Sequence, residues 1–163
     1  MYIQILFIQL KIEDIIKTNV ALPLSKKVII NLFYTNTSFS DHIHATLKPY
    51  DISIQQFNVL RILKGQQGKP ANLSTIQERM VSKMSNTTRL VDKLINKSYV
   101  ERVVCPSNRR KVEITITKKG IEFLEMVSEK MDHTEEKLTS SLTNEELKTL
   151  NHLLNKIRNN ELS

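Results

Sequence analysis

Glycine is scarce in this chain, with three in 163 residues. Phosphate-cradling loops and dinucleotide-binding turns need several glycines in close order, and neither pattern occurs, nor does a nucleophile elbow. Tryptophan is absent. With so little glycine, this favours helices over a turn-rich β architecture. The lone cysteine, Cys105, rules out an internal disulfide framework and fits a reducing compartment, here the cytoplasm. The histidines form no ligand pairs. His42 and His44 are two apart, off a common helix face, and His133 and His152 are isolated. With no His-x-x-x-His or Cys-x-x-Cys, no metal site and no cofactor are expected. An enzyme has no residue to rest on. Long apolar runs are also missing. The opening stretch MYIQILFIQLKIEDIIKTNV is interrupted by Gln4, Gln9, Lys11, Glu13 and Asp14, well short of the roughly 20 apolar residues a membrane span needs. It has no positive leader or small-residue cleavage site, so it is a poor signal peptide. No membrane partner is expected.

What the chain does have is positive charge in one place. The net charge is +7, and 40% of residues are hydrophobic, enough for one globular domain. Between Leu73 and Gly120 stand eleven lysines and arginines against four acids, an excess of seven. The remainder holds thirteen of each sign, so the whole excess lies in this stretch. A clustered positive field is the electrostatic footprint of a nucleic-acid face, or else a basic surface kept for solubility.

The same stretch reads as helix, turn, helix, then a two-stranded hairpin with a basic tip. The first helix opens at Ser74 with Gln77 three residues on, a capping-box pattern, and Leu73, Ile76 and Met80 are its core candidates. The second starts near Ser85 or Asn86 and runs to about Lys97. Leu90, Val91, Leu94 and Ile95 make its buried stripe, leaving Asn86, Thr87, Arg89, Lys93 and Lys97 mostly outward. From Val100 the period changes to two, and it does so again over Lys111–Thr117. Pro106-Ser107-Asn108-Arg109-Arg110 lies between. Such a helix can enter the major groove of duplex DNA, while the hairpin tip reaches phosphates or the adjacent minor groove.

These residues resemble the winged helix-turn-helix of the MarR family of bacterial transcriptional regulators. The likeness is carried by Ser85-Asn86-Thr87-Thr88-Arg89-Leu90-Val91-Asp92-Lys93-Leu94 and, in the wing, by Asn108 to Gly120. The family usually has Asp, any residue, Arg in the wing, then a strand ending Leu-Thr and a Gly after it. Here Asn108 replaces the Asp, Arg110 keeps the Arg, and Ile116-Thr117 replaces Leu-Thr. The missing Asp removes a charged partner for Arg110. The resemblance implies a mainly α fold with a small β-hairpin wing, flanked by N- and C-terminal dimerisation helices.

Around the motif the chain divides as follows. Residues 1–23 form an N-terminal extension, either an extra helix at a subunit interface or a stretch ahead of the true translation start. Residues 24–160 are the MarR-like domain, with a DNA-reading part at 53–120 and dimerisation helices at 24–48 and 121–160. The first long helix, Ser25 to Leu47, has weak helix formers at Asn36, Thr37 and Ser38 in its middle. Ser53 with Gln56 forms another capping box and opens a helix to about Lys64, with Phe57, Leu60 and Leu63 on one face. Gly65 to Pro70 is a loop. After Gly120 a helix runs to about Leu138, with Leu124, Val127, Met131, Thr134 and Leu138 in a heptad-like seam. Thr143 and Glu146 cap the last helix, striped by Leu147, Leu150, Leu154 and Ile157. The two stripes build a dimer interface or pack into one monomeric core, and the dimer is the preferred reading.

The expected DNA contacts are Lys83, Ser85, Asn86, Thr87, Thr88, Arg89, Lys93, Asn108, Arg109, Arg110 and Lys111. Arg89 is placed to touch bases or phosphates, against a salt bridge with Asp92. Asn86 and Thr87 either meet base edges or cap the helix. Lys83, Lys93 and Lys111 are phosphate contacts. Cys105 is a packed strand residue or, as in some relatives, an oxidant sensor beside Arg102, Arg109 and Arg110. The resemblance also implies a small-molecule effector, aromatic or phenolic, with Tyr34, His42 and Phe57 either lining its pocket or simply in the core. The preferred function is a ligand-responsive, homodimeric repressor acting on a pseudo-palindromic operator. The alternatives are a winged-helix protein-interaction module and a non-specific architectural DNA binder.

Overall fold

The computed structural model describes residues 10–104 and 112–159. The chain separates into two compact units, Met1–Asp41 and His42–Ser163. The expected wing tip, Cys105 through Lys111, and the opening residues 1–9 lie outside the described residues.

In the first unit, α1 (Ile12–Ile15) is a single turn, and Lys27 of the following helix pairs with Glu13. That ion pair holds the Glu13 carboxyl below its usual range. Helix α2 (Leu24–Leu47), whose residues up to Asp41 belong to this unit, is unbroken through Asn36, Thr37 and Ser38. The Thr37 hydroxyl donates to the Phe33 carbonyl at 3.0 Å, so a residue that would compete with the helix is satisfied inside it.

The second unit holds the winged helix. A 3-10 turn (Lys48–Tyr50) ends α2, and α3 (Ile54–Lys64) opens on the expected box. Gln56 N–H donates to Ser53 Oγ at 3.2 Å, and Ser53 N–H donates to Gln56 Oε1 at 2.9 Å. Phe57, Leu60 and Leu63 all fall in the core. Next come α4 (Leu73–Arg79), α5 (Thr87–Asn96), the antiparallel strands β1 (Val100–Val104) and β2 (Val112–Ile116), α6 (Lys118–Thr139) and α7 (Asn144–Asn159). The hairpin register pairs Val100 with Ile116 and Val104 with Val112. The core joins Phe57 and Leu60 of α3, Ile76 of α4, Val91 and Leu94 of α5, Ile114 of β2, and Leu124, Val127 and Met131 of α6.

Two expectations change here. The first half of the α6 seam is core of this chain and not a face left for a partner: Leu124, Val127 and Met131 are each at most 2% exposed. Helix α4 is capped by Asn72, not Ser74. Asn72 Oδ1 accepts from Thr75 N–H at 2.8 Å and from the Ser74 hydroxyl at 2.6 Å. The cause is non-local. Ala71 exchanges backbone hydrogen bonds with Ile114 of β2 at 2.8 and 2.9 Å, which holds the entering chain extended until Asn72.

Candidate nucleic-acid interface

Helix α5 is fixed from behind. Val91 and Leu94 are fully buried, while Leu90 and Ile95 pack on the core from its edge. This is the expected stripe, and it decides which face looks outward. Thr88, Arg89 and Lys93 lie on that outer face and are exposed. Asn86 is the N-cap, its Oδ1 accepting Arg89 N–H at 3.0 Å. Ser85 is half-buried. Asp92 does not pair with Arg89. It faces Arg102 of β1, whose Nη2 lies 2.8 Å from Asp92 Oδ1. The contact is close enough for an ion pair but off-axis for a hydrogen bond, and Arg102 Nε and Nη2 make none. The acid is thus drawn towards the wing, and the Arg89 guanidinium has no ion pair or hydrogen bond among the described residues. The N-terminal end of the α5 dipole adds partial positive charge on the same side.

Thr87 corrects the expectation that it points outward. It is 6% exposed, and its hydroxyl donates to Gln77 Oε1 of α4. The other end of that amide, Gln77 Nε2, donates to the Lys83 carbonyl at 2.5 Å. One side chain therefore ties α4 to the turn and to the first residue of α5. Gln77 was expected in a capping box. Once Asn72 takes the cap, its amide is free for this clamp. The Lys83 ammonium folds back to the Glu78 carbonyl at the end of α4, where the helix dipole is negative. Lys97, also expected outward, is half-buried and pairs with Asp51 at 2.5 Å. That pairing holds the Asp51 carboxyl below its usual range.

Of the expected DNA-contact set, Asn86, Arg89 and Lys93 line one hollow, and Thr88 is exposed beside Arg89. Lys83 and Ser85 stand in the adjoining turn. Asn108, Arg109, Arg110 and Lys111 fall outside the described residues. Of the three effector candidates, Phe57 is a core residue at 1% exposure, with the Arg61 guanidinium 5.9 Å from its ring. His42 is exposed, and Tyr34, in the first unit, is 49% exposed. Among the described residues no three of His, Cys, Asp and Glu group to hold a metal, and no helix is long and apolar enough to cross a membrane.

The fold has counterparts among known proteins. A family model described as the MarR family matches residues 52–112. The multiple antibiotic resistance protein MarR of Escherichia coli is 30% identical over 114 residues, covering 68% of this chain and 76% of that protein. The HTH-type transcriptional regulator MhqR of Bacillus subtilis is 28% identical over 135 residues, 82% of this chain and 90% of that one. Among solved structures, wild-type E. coli MarR superposes with a TM-score of 0.64 at 26% identity, covering 85% of this chain and 98% of that one. A cysteine-to-serine mutant of MarR complexed with operator DNA gives 0.70 at 25% identity, over 83% and 99%. These relatives are transcriptional regulators, not enzymes, and the chain belongs to the MarR family.

Proposed function

We propose that this chain is a homodimeric, sequence-specific DNA-binding repressor that reads a pseudo-palindromic operator through α5 and the wing. The observation that carries the reading is the outer face of α5. Arg89 and Lys93 are exposed there, and the neighbouring acid Asp92 pairs with Arg102. A helix buried along one stripe and cationic along the other suits the major groove, with lysines on phosphates and Arg89 within reach of base edges. The operator complex of E. coli MarR, at 25% identity, supports duplex DNA as the ligand. Arg109 and Arg110, with Asn108 and Lys111, are assigned to the wing contact. A regulator of this fold, the organohalide-sensing RdhR, has been solved with 2,4-dichlorophenol bound. At 21% identity that likeness is of fold alone, and it sets the first compounds to try: small phenols.

The test is fluorescence anisotropy of the full chain against the intergenic duplex beside its own gene and a scrambled duplex of equal length, over a salt series. A specific regulator prefers its operator by roughly 10³-fold or more at physiological salt. Its log affinity falls steeply with log salt as counterions are released. Arg89→Ala weakens operator binding by about 1–3 kcal/mol and relaxes specificity, whereas Lys93→Ala weakens all duplexes alike. Equal loss from both variants would remove the case for Arg89 as a base reader. Equal binding of both duplexes would point to an architectural protein. No binding even at low salt would favour a protein-interaction module.

A further inference from the structure

The turn joining α4 to α5 carries two apolar side chains that packing does not account for. Met84 is 94% exposed and Val81 is 88% exposed, the most exposed large apolar side chains among the described residues. Scattered apolar residues are ordinary on a surface. These two stand three positions apart in a turn that polar residues would make equally well. Met84 also shares a hollow of about 290 Å³ with Asn86, Arg89 and Lys93, so it opens on the same side as the cationic groups of α5. An occupant of that side must satisfy positive charge and at the same time offer something apolar. In the major groove phosphates satisfy the charge, and thymine supplies an apolar group, its C5-methyl. Methionine, unbranched and polarisable, adapts its shape to such a contact.

We propose that Met84 is a specificity-determining residue that packs against a thymine C5-methyl in each half-site. The proposal rests on the DNA-reading function above and goes beyond it by naming a base and the atom read.

The experiment uses the full chain and duplexes that the protein selects from a randomised pool. Each thymine of the selected duplex is then replaced by deoxyuridine, which removes the methyl and keeps base pairing. One position per half-site is expected to lose about fourfold in affinity, the worth of a buried carbon. Met84→Ser, a change at a solvent-exposed site, is expected to keep the melting temperature and the salt slope. It should bind the thymine and deoxyuridine duplexes equally. Wild-type affinity that is indifferent to deoxyuridine at every position would overturn the proposal. So would a Met84→Ser protein that still shows the full deoxyuridine loss. Selection that enriches no sequence would overturn the DNA-reading function itself, and this proposal with it. Enrichment without methyl dependence would overturn the Met84 assignment alone.

Discussion

At Gly120 one hydrogen atom decides whether α6 can start where it does. A Cβ built there would lie 2.1 Å from the Tyr99 carbonyl oxygen and 2.9 Å from Ile116 Cγ1. Thr117 caps the helix at the same place, its Oγ1 accepting Gly120 N–H at 3.0 Å and its own hydroxyl donating to the Ser98 carbonyl at 2.8 Å. The first turn of α6 is thus pressed on the junction of α5 and β1. Because the nearest atom is backbone, a new methyl cannot be met by a side-chain rotation. Gly120→Ala is expected to cost about 1–3 kcal/mol or somewhat more by overpacking, measured as a lowered urea midpoint. An unchanged midpoint would mean the α6 start yields easily. The Gly that follows the wing strand is visible in the sequence, but its reason is not. The carbonyl it accommodates belongs to Tyr99, 21 positions earlier. Thr87 shows the same limit. Its hydroxyl suggested a base contact or a cap, and only the approach of Gln77 from α4 turns it inward.

Elements whose signals are local were legible and those set by distant pairing were not. The Ser53–Gln56 box, the Phe57, Leu60, Leu63 face and the Val91, Leu94 stripe depend on residues within a turn or two of each other, and each stands as expected. The start of α4 depends on Ala71 pairing with Ile114, 43 positions on, which the local capping pattern at Ser74 does not register. The α6 seam was periodic enough, but periodicity names a buried face without saying what buries it. The last helix shows the local case most fully. Glu146 Oε2 accepts Thr143 N–H at 2.8 Å and the Thr143 hydroxyl at 2.9 Å, and Glu146 N–H donates back to Thr143 Oγ1. These hydrogen bonds hold the Glu146 carboxyl below its ordinary value of 4.5. A group depressed in the folded state contributes stability above its unfolded pKa and loses it as pH falls through the folded one. Acidification from pH 6 should therefore loosen the start of α7 only below about pH 4.5. Amide hydrogen exchange over residues 143–147 would register this. In Glu146→Gln the exchange of these amides should no longer track the carboxyl. If wild type and variant respond to acid alike, the cap does not depend on this carboxylate.

For the whole molecule, the question is what covers α7. It carries a polar cap and an acidic first turn, yet none of its residues is buried: Leu150, Leu153, Leu154 and Ile157 are 39–49% exposed along one stripe. In the proposed dimer it is α7 that faces the second copy, since the early part of the α6 seam lies in its own core. The partner follows from the proposed function. Two reading helices must meet half-sites about one DNA turn, roughly 34 Å, apart, and only a paired molecule presents two. Wild-type chain is expected to sediment as a dimer with a melting temperature that rises with protein concentration. Replacing Leu150 and Leu154 together by Asp puts two like charges into the stripe while leaving the Thr143–Glu146 cap and the core untouched. The variant should sediment as a folded monomer. Its grip on the operator should fall far more than its grip on a single half-site, because the second half-site no longer binds at the raised effective concentration a dimer provides. A wild-type monomer, or a variant that still pairs, would place the interface elsewhere. A variant that becomes monomeric yet keeps full operator affinity would show that one α5 suffices, and with it the pseudo-palindromic reading would fall.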